Sequence, residues 1–391
     1  MSAQQFLYYL SGRKYMRILA AVFVFIFPSL IFAKELPLQT LKLPPGFAIN
    51  LYASPVNDAR GLALGDKGVV FVGTKADKVY AILPEQDANG LHKVVTIASG
   101  LNQPNGVAFY KGALYVAEID RIIKYPDIIQ HLTDPPKPEL VTKDVPVKVA
   151  GGRYQTQHAW KTIAFSPNGK LYMAVGVPCD ACLPEDKRFG TIMRMQPDGS
   201  NREIYASGVR NSVGFAWDPV ADKFWFTDNG RDWMGDNRPP DKLEYAPVKG
   251  LFFGFPYYHG LDQNGKPISD PKFGKLRSPD GITWPIYQLP AHVAVLGMTF
   301  YTGKMFPAAY HNQIILAEHG SWNSSKKVGY RLTIITLNKQ RQPISYQPFV
   351  TGWEKDESAW GRPVATLVMP DGSLLVSDDY AGVIYRITYG K

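Results

Sequence analysis

The chain has 391 residues, 45% hydrophobic and 20% charged, with a net charge of +9. That apolar fraction is enough for a folded core and excludes a disordered polymer. The basic residues form no dense block or stripe, so nucleic acid is not an expected partner.

In chain order, Arg13, Lys14 and Arg17 precede an apolar run from Ile18 to Ala33, with no acidic residue before Glu35. This pattern predicts a secretory signal peptide, or an N-terminal anchor if retained, over residues 1–33. The run is shorter than the roughly 20 residues of a full membrane span. Removing its three positive charges from +9 leaves +6 on residues 34–391. The expected location is periplasmic or secreted, with membrane contact only if the segment stays attached.

Residues 34–391 carry a recurring phrase of apolar strand, turn and apolar strand. Its most compact copies are Thr162-Ile-Ala-Phe-Ser-Pro-Asn-Gly-Lys-Leu-Tyr-Met-Ala-Val175 and Ala365-Thr-Leu-Val-Met-Pro-Asp-Gly-Ser-Leu-Leu-Val-Ser377. Asn-Gly and Asp-Gly supply the positive φ of a tight hairpin turn. Further copies open at Gly61, Gly106, Val213 and Leu296, spaced 45 to 83 residues apart. Units of this size with about four short strands cannot bury both faces alone. Six of them predict an all-β chain forming one six-bladed β-propeller over 34–391. A β-sandwich would not explain the shared phrase. The strand at Phe47-Ala-Ile-Asn-Leu-Tyr-Ala53 precedes the first hairpin and is expected to complete the last blade.

The polar clusters enter or leave these hairpins. His158, before the third copy, is either a satisfied structural histidine or a general base, because imidazole titrates near working pH. Cys179-Asp-Ala-Cys182 reads as a short-loop disulfide or brace; Leu183 stands where a c-type haem would need histidine. Arg210 and Asn211 together offer fixed donors suited to a polarised carbonyl or carboxylate. The loop Thr227-Asp-Asn-Gly-Arg-Asp-Trp-Met-Gly-Asp-Asn-Arg-Pro-Pro-Asp241 concentrates oxygen ligands of the kind Ca²⁺ takes, or is simply a solvated acidic loop. Ala317-Glu-His-Gly-Ser-Trp-Asn323 and Trp360-Gly-Arg-Pro363 complete the set.

Seven phrases carry a resemblance: Arg60-Gly-Leu-Ala63, Pro104-Asn-Gly-Val-Ala108, Gly208-Val-Arg-Asn211, Thr227-Asp-Asn-Gly-Arg-Asp232, Phe253-Gly-Phe-Pro-Tyr257, His319-Gly-Ser-Trp-Asn323 and Pro370-Asp-Gly-Ser-Leu-Leu-Val-Ser377. Together, over roughly residues 40 to 389, the chain resembles the sorbosone dehydrogenase branch of the soluble quinoprotein sugar dehydrogenases. The resemblance implies a six-bladed propeller holding pyrroloquinoline quinone (PQQ) and Ca²⁺ at the channel mouth. It implies that His158 takes the sugar hydroxyl proton while hydride passes to the quinone, and that Arg210 and Asn211 polarise the quinone oxygens. It further implies cofactor contacts from Arg60, His319, Trp322 and Arg362, and Ca²⁺ ligation by the backbone oxygens of Gly230 and Arg231.

The chain departs from that pattern in three places. Ala365 stands where many relatives carry an acid, and Asp241-Lys-Leu-Glu244 replaces a common Asp-Glu-Leu-Asn. The lysine that contacts the quinone in the glucose dehydrogenase branch has no clear match, since Lys326 and Lys327 lie beyond an insertion. The expected activity is oxidation of an aldose or related sugar aldehyde or alcohol, with electrons passing to an unidentified acceptor. The alternatives are a lactonase-type propeller hydrolase and a non-catalytic binding propeller that has lost its cofactor.

Overall fold

The computed structural model describes residues 36–390, except 150, 151, 154 and 156. The predicted signal segment, 1–33, lies outside the described residues. Those residues form six sheets of four or five strands, antiparallel but for one short added strand and in sequence order except at the ring closure, plus two small two-stranded ribbons. They contain short 3-10 turns but no α-helix, and no helix among them is long and apolar enough to cross a membrane. The six sheets are the blades of a β-propeller.

Blade 1 comprises Ala59–Leu64, Val70–Thr74, Val79–Gln86 and His92–Ala98; blade 2 comprises Gly106–Tyr110, Ala113–Ala117, Ile122–Tyr125 and Glu139–Thr142. Blade 3 is Ile163–Phe165, Leu171–Val175, Thr191–Met195 and Glu203–Ser207, with Leu251–Phe252 added in parallel. Blade 4 is Phe215–Trp217, Phe224–Asp228, Asp241–Ala246 and Tyr287–Leu289. Blade 5 is Val295–Phe300, Ile314–Glu318, Arg331–Leu337 and Pro343–Val350. Blade 6 takes Pro363–Val368, Leu374–Asp378 and Val383–Tyr389 from the C-terminal end, and its outermost strand is Phe47–Ala53. The N-terminal strand thus pairs with the last one, and the ring closes as the sequence predicts. Phe47 seals the join, with its ring edge-on to Phe306 (4.8 Å), Phe349 (5.1 Å) and Tyr389 (4.8 Å).

The core is divided among the gaps between blades. Six buried clusters each draw side chains from two neighbouring blades. Alternate residues of one strand therefore serve opposite gaps. Phe224 and Phe226 pack towards blade 3, while Trp225 between them packs towards blade 5. Burial on both faces is why these strands read as unbroken apolar runs instead of alternating ones.

The hairpin phrase has a second cause besides its turn. The turn residue Gly169 has φ +77°, a conformation that disfavours a side chain. The glycines at the first or second position of several copies answer instead to crowding round the central channel. A Cβ at Gly61, Gly106, Gly214 or Gly297 would lie 2.2–2.5 Å from a carbonyl oxygen of the neighbouring blade. Thr162 and Ala365 also line this channel, a cavity of about 210 Å³.

Candidate active site

In an antiparallel hairpin, the start of the innermost strand lies beside the end of the second strand. Ala59 pairs with Thr74, Val295 with Glu318, and Pro363 with Asp378. Residues just before inner strands and just after second strands therefore gather at one end of the channel. They enclose a cavity of about 390 Å³ lined by Arg60, His158, Arg210, Asn211, Gly230, His319, Trp322 and Arg362. Eight of the nine residues singled out from the sequence meet there. The ninth, Arg231, directs its side chain elsewhere, to Asp270 (2.6 Å) and Asp180 (2.8 Å).

His158 is held in one tautomer. Its Nδ1–H donates to the Val177 carbonyl at 2.9 Å, which leaves the Nε2 lone pair free to accept. Burial, and then the charge of Arg210, push its pKa down to about 3, so the ring is neutral at any ordinary pH. The ring reaches this position because Gly176 follows the second strand of blade 3. A Cβ on Gly176 would lie 2.6 Å from the His158 Cβ and 3.0 Å from the Asn211 side-chain oxygen.

Arg210 is buried and fixed by one residue in particular. Its Nε donates to the Asp180 carbonyl (2.9 Å) and its Nη2 to the Asp180 carboxylate (2.9 Å), with Asp232 3.1 Å from the same nitrogen. Asp180 also accepts from Arg231 Nη2 and from the Asp232 amide, each at 2.8 Å. Burial alone would raise the Asp180 carboxyl, but the Asp232 amide and the two guanidiniums outweigh it and hold the pKa low. Asp180 sits between the two half-cystines of the Cys179–Cys182 disulfide. The brace anticipated from the sequence therefore presents a carboxylate that positions the site's cation.

Across the cavity, Arg60 is buried with its guanidinium 4.4 Å over the Trp160 ring. Its Nε donates to Asn105 (2.7 Å) and its Nη1 to Asp379 (2.8 Å). The other Asp379 oxygen lies 2.8 Å from His319 Nε2. Burial pushes the His319 pKa down to about 4 despite that carboxylate, so neutral His319 donates its Nε2–H to Asp379. Burial would raise Asp379 too, but His319, Arg60 and Lys75 hold it well below the usual carboxylate range. Arg362 donates to the His319 (3.0 Å) and Gly320 (2.6 Å) carbonyls. Trp322 leaves 67% of its surface exposed at the rim.

The sequence reading missed Lys75, Trp160, His292 and Asp379 among the lining residues; Asp232 and Asp241 belong to the acidic loop it read as a possible Ca²⁺ site. Lys75 follows the second strand of blade 1, the position equivalent to His319, and that spacing was a usable signal. Lys326 and Lys327 are not among the lining residues, so Lys75 is a lysine at the mouth where none was matched.

The other two departures are absorbed locally. Lys242 donates to Asp228 (2.6 Å), whose other oxygen accepts the Asn211 amide (2.7 Å). Glu244 is fully buried 3.8 Å from Lys242 Nζ, and burial pushes its carboxyl up to about 8. Ala365 lines the channel and not the mouth cavity.

The donor chemistry fits the two groups that the resemblance implies. Four cations, Arg60, Lys75, Arg210 and Arg362, line the cavity and suit a polycarboxylate such as PQQ. No donor among the described residues bonds the Gly230 or Arg231 carbonyl oxygens. Asp241, whose Oδ1 accepts the Gly230 amide (2.6 Å), and Asp232 stand beside them. Burial raises both carboxyls, Asp241 to about 6, and a hard cation beside them would favour their charged forms.

Comparison with known proteins shows what the sequence and fold are similar to. Residues 133–320 match the Glucose / Sorbosone dehydrogenase family model. An uncharacterised protein of Borreliella burgdorferi is 33% identical over 374 residues, covering 94% of this chain and 96% of that protein. Aldose sugar dehydrogenase YliI of Escherichia coli is 29% identical over 126 residues, 32% of this chain and 30% of that one. Among solved structures, the calcium structure of the Trichoderma reesei carbohydrate-active enzyme of family AA12 has a TM-score of 0.76 at 16% identity, covering 90% of this chain and 97% of that one. The holo PQQ domain of Coprinopsis cinerea pyranose dehydrogenase has a TM-score of 0.72 at 17% identity, covering 89% and 97%. At these identities the structural likeness speaks for the fold.

Proposed function

The chain belongs to the family of that Borreliella protein and carries the Glucose / Sorbosone dehydrogenase match across its centre, and on that premise we propose that it is a PQQ- and Ca²⁺-dependent sugar dehydrogenase. Its substrate is an aldose or a related sugar aldehyde or alcohol. One observation carries the reading: a neutral imidazole with a free Nε2 opens into a cavity lined by four cations.

Bound PQQ supplies a two-electron acceptor for hydride. The chain's own residues do the rest. His158 Nε2 accepts the proton of the sugar hydroxyl, and its pinned Nδ1–H keeps the lone pair directed into the cavity. Arg210, fixed by Asp180, and Asn211 present preorganised donors where negative charge develops. Arg60, His319, Trp322 and Arg362 bind the cofactor, with Lys75 as a further cation. The Gly230 and Arg231 carbonyl oxygens hold Ca²⁺, assisted by Asp232 and Asp241. A disulfide beside the site suits an exported protein. Periplasmic or secreted location after loss of residues 1–33 is therefore part of the proposal.

The test is to purify residues 34–391, titrate PQQ with Ca²⁺ by absorbance and calorimetry, and follow dye reduction with a panel of sugars. Saturable PQQ binding with sugar-dependent dye reduction is expected. Absence of PQQ binding would remove the dehydrogenase reading, and lactone hydrolysis without quinone would replace it with the hydrolase alternative.

A further inference from the structure

His158 holds a backbone conformation that a residue with a side chain adopts at a cost. Its φ is +51°, in the left-handed region, and such strain persists only where the surroundings over-determine it. Two residues that do so, Gln155 and Lys161, lie outside the lining of the cavity.

Gln155 acts from the N-terminal side. It is 4% exposed, and its backbone amide donates to the Val147 carbonyl (2.7 Å). Its Nε2 donates to the Gln157 carbonyl, which belongs to the peptide group whose plane sets the His158 φ. The same nitrogen lies 3.2 Å from the Gly176 carbonyl and 3.3 Å from that of Val177. The Val177 oxygen is the one that accepts the His158 Nδ1–H. One amide therefore grips both the strained peptide and the acceptor of the ring. Its Oε1 is buried and bonds nothing among the described residues, so this side chain is placed for its donors, with an orphaned acceptor as the cost.

Lys161 acts from the C-terminal side. Its side chain is fully buried, and its Nζ donates to the Ala159 carbonyl (2.6 Å), in the peptide group after that of His158. Burial pushes its pKa down to about 7, against the charge of Asp120. A lysine taken wholly out of water is expensive to keep, and no step of the proposed reaction uses it. Its own carbonyl accepts Asn105 Nδ2 (3.1 Å), and Asn105 in turn holds Arg60 (2.7 Å), so the clamp continues into the cofactor side of the cavity.

We propose that Gln155 and Lys161 are positioning residues that clamp the strained backbone on either side of His158 and so hold its Nε2 towards the sugar hydroxyl. This rests on the dehydrogenase reading of the cavity. Neither residue touches sugar or cofactor, so the clamp governs turnover through His158 and leaves binding alone.

The experiment uses Gln155→Leu and Lys161→Met, which keep the bulk and remove the donors, and Lys161→Arg, which keeps a cationic donor. PQQ Kd, KM and kcat are measured on each. The ¹⁵N NMR signals of the histidine rings are recorded on the cofactor-free proteins, with His158→Gln assigning the His158 pair. The wild type should show one protonated Nδ1 and one bare Nε2. In Gln155→Leu and Lys161→Met the two nitrogens should move towards a common averaged shift, and kcat should fall by roughly 10- to 100-fold. PQQ Kd and KM should change by less than about threefold, and Lys161→Arg should recover most of the turnover. If the wild type oxidises no sugar but the ring signals still depend on Gln155 and Lys161, the clamp stands and the dehydrogenase reading falls. The clamp is overturned if both variants lose only thermal stability, with the tautomer fixed and kcat near normal. It is equally overturned if PQQ binding and kcat fall together. Should Gln155→Leu fail to fold, Lys161→Met and Lys161→Arg decide the matter by the same readouts.

Discussion

Gly176→Ala is the smallest change that should disable the site. The φ of Gly176 lies outside the left-handed region, so alanine meets no dihedral strain and the effect is steric. The new Cβ would lie 2.6 Å from the His158 Cβ, 2.9 Å from the His158 carbonyl oxygen and 3.0 Å from Asn211 Oδ1. Non-bonded carbons rest at about 3.5–4.0 Å, so His158 must retreat by about 1 Å. Crowding of this kind costs about 1–3 kcal/mol of stability, or a few degrees in Tm. The displacement matters more, since about 1 Å of misplacement lowers turnover by on the order of 10²-fold. Steady-state kinetics on the PQQ-loaded variant, with a melting curve beside them, measure both. A variant with wild-type kcat would refute the convergence of His158 and Asn211 across Gly176.

Four further outcomes follow from the same geometry. Reducing Cys179–Cys182 with a dithiol converts it to two thiols and frees Asp180 from its brace. PQQ affinity should weaken by roughly tenfold, about one charge-assisted hydrogen bond, and calorimetry showing an unchanged Kd after full reduction would remove the brace's role. Because burial holds the His158 pKa near 3, kcat/KM should stay level from pH 7 to 5, where an ordinary histidine with pKa about 6.5 would lose most of its basic form; an acid limb near 6.5 would contradict this. For stability the sign is fixed too: the unfolded chain protonates His158 and His319 first, so stability falls as pH drops below about 6.5 towards 4. Phe47→Ala should lower Tm by several degrees, with a loss of about 2–4 kcal/mol, because Phe47 packs where the ring closes. An unchanged melting curve would mean that the closing strand contributes little.

The blades were legible because every unit repeats the same local solution. A turn, Gly-containing in every blade but the fourth, joins two strands buried on both faces, and a glycine at the channel wall answers the same crowding in several copies. Each of these leaves its mark within about fifteen residues. Loop residues were legible where a motif named them, as with His158, Arg210 and His319. Their partners were not. Asp379 binds Arg60 across 319 positions, and Asp180 reaches Arg231 across 51, so no local pattern announces either. Cys179 and Cys182 advertised a brace without advertising the carboxylate between them. Lys242 shows the converse: it reads as a departure from a motif, and only its bond to Asp228 reveals a substitution accommodated in place.

The central claim is that His158 is a base in a cavity built for a quinone. Its most direct measurement is His158→Gln, with PQQ affinity and sugar turnover determined on the same protein. The account predicts that PQQ Kd changes by less than about threefold while kcat falls by about 10²–10⁴, the scale of a lost general base. Near-normal turnover in this variant would contradict the base assignment, and loss of PQQ binding in step with kcat would make His158 a cofactor ligand instead.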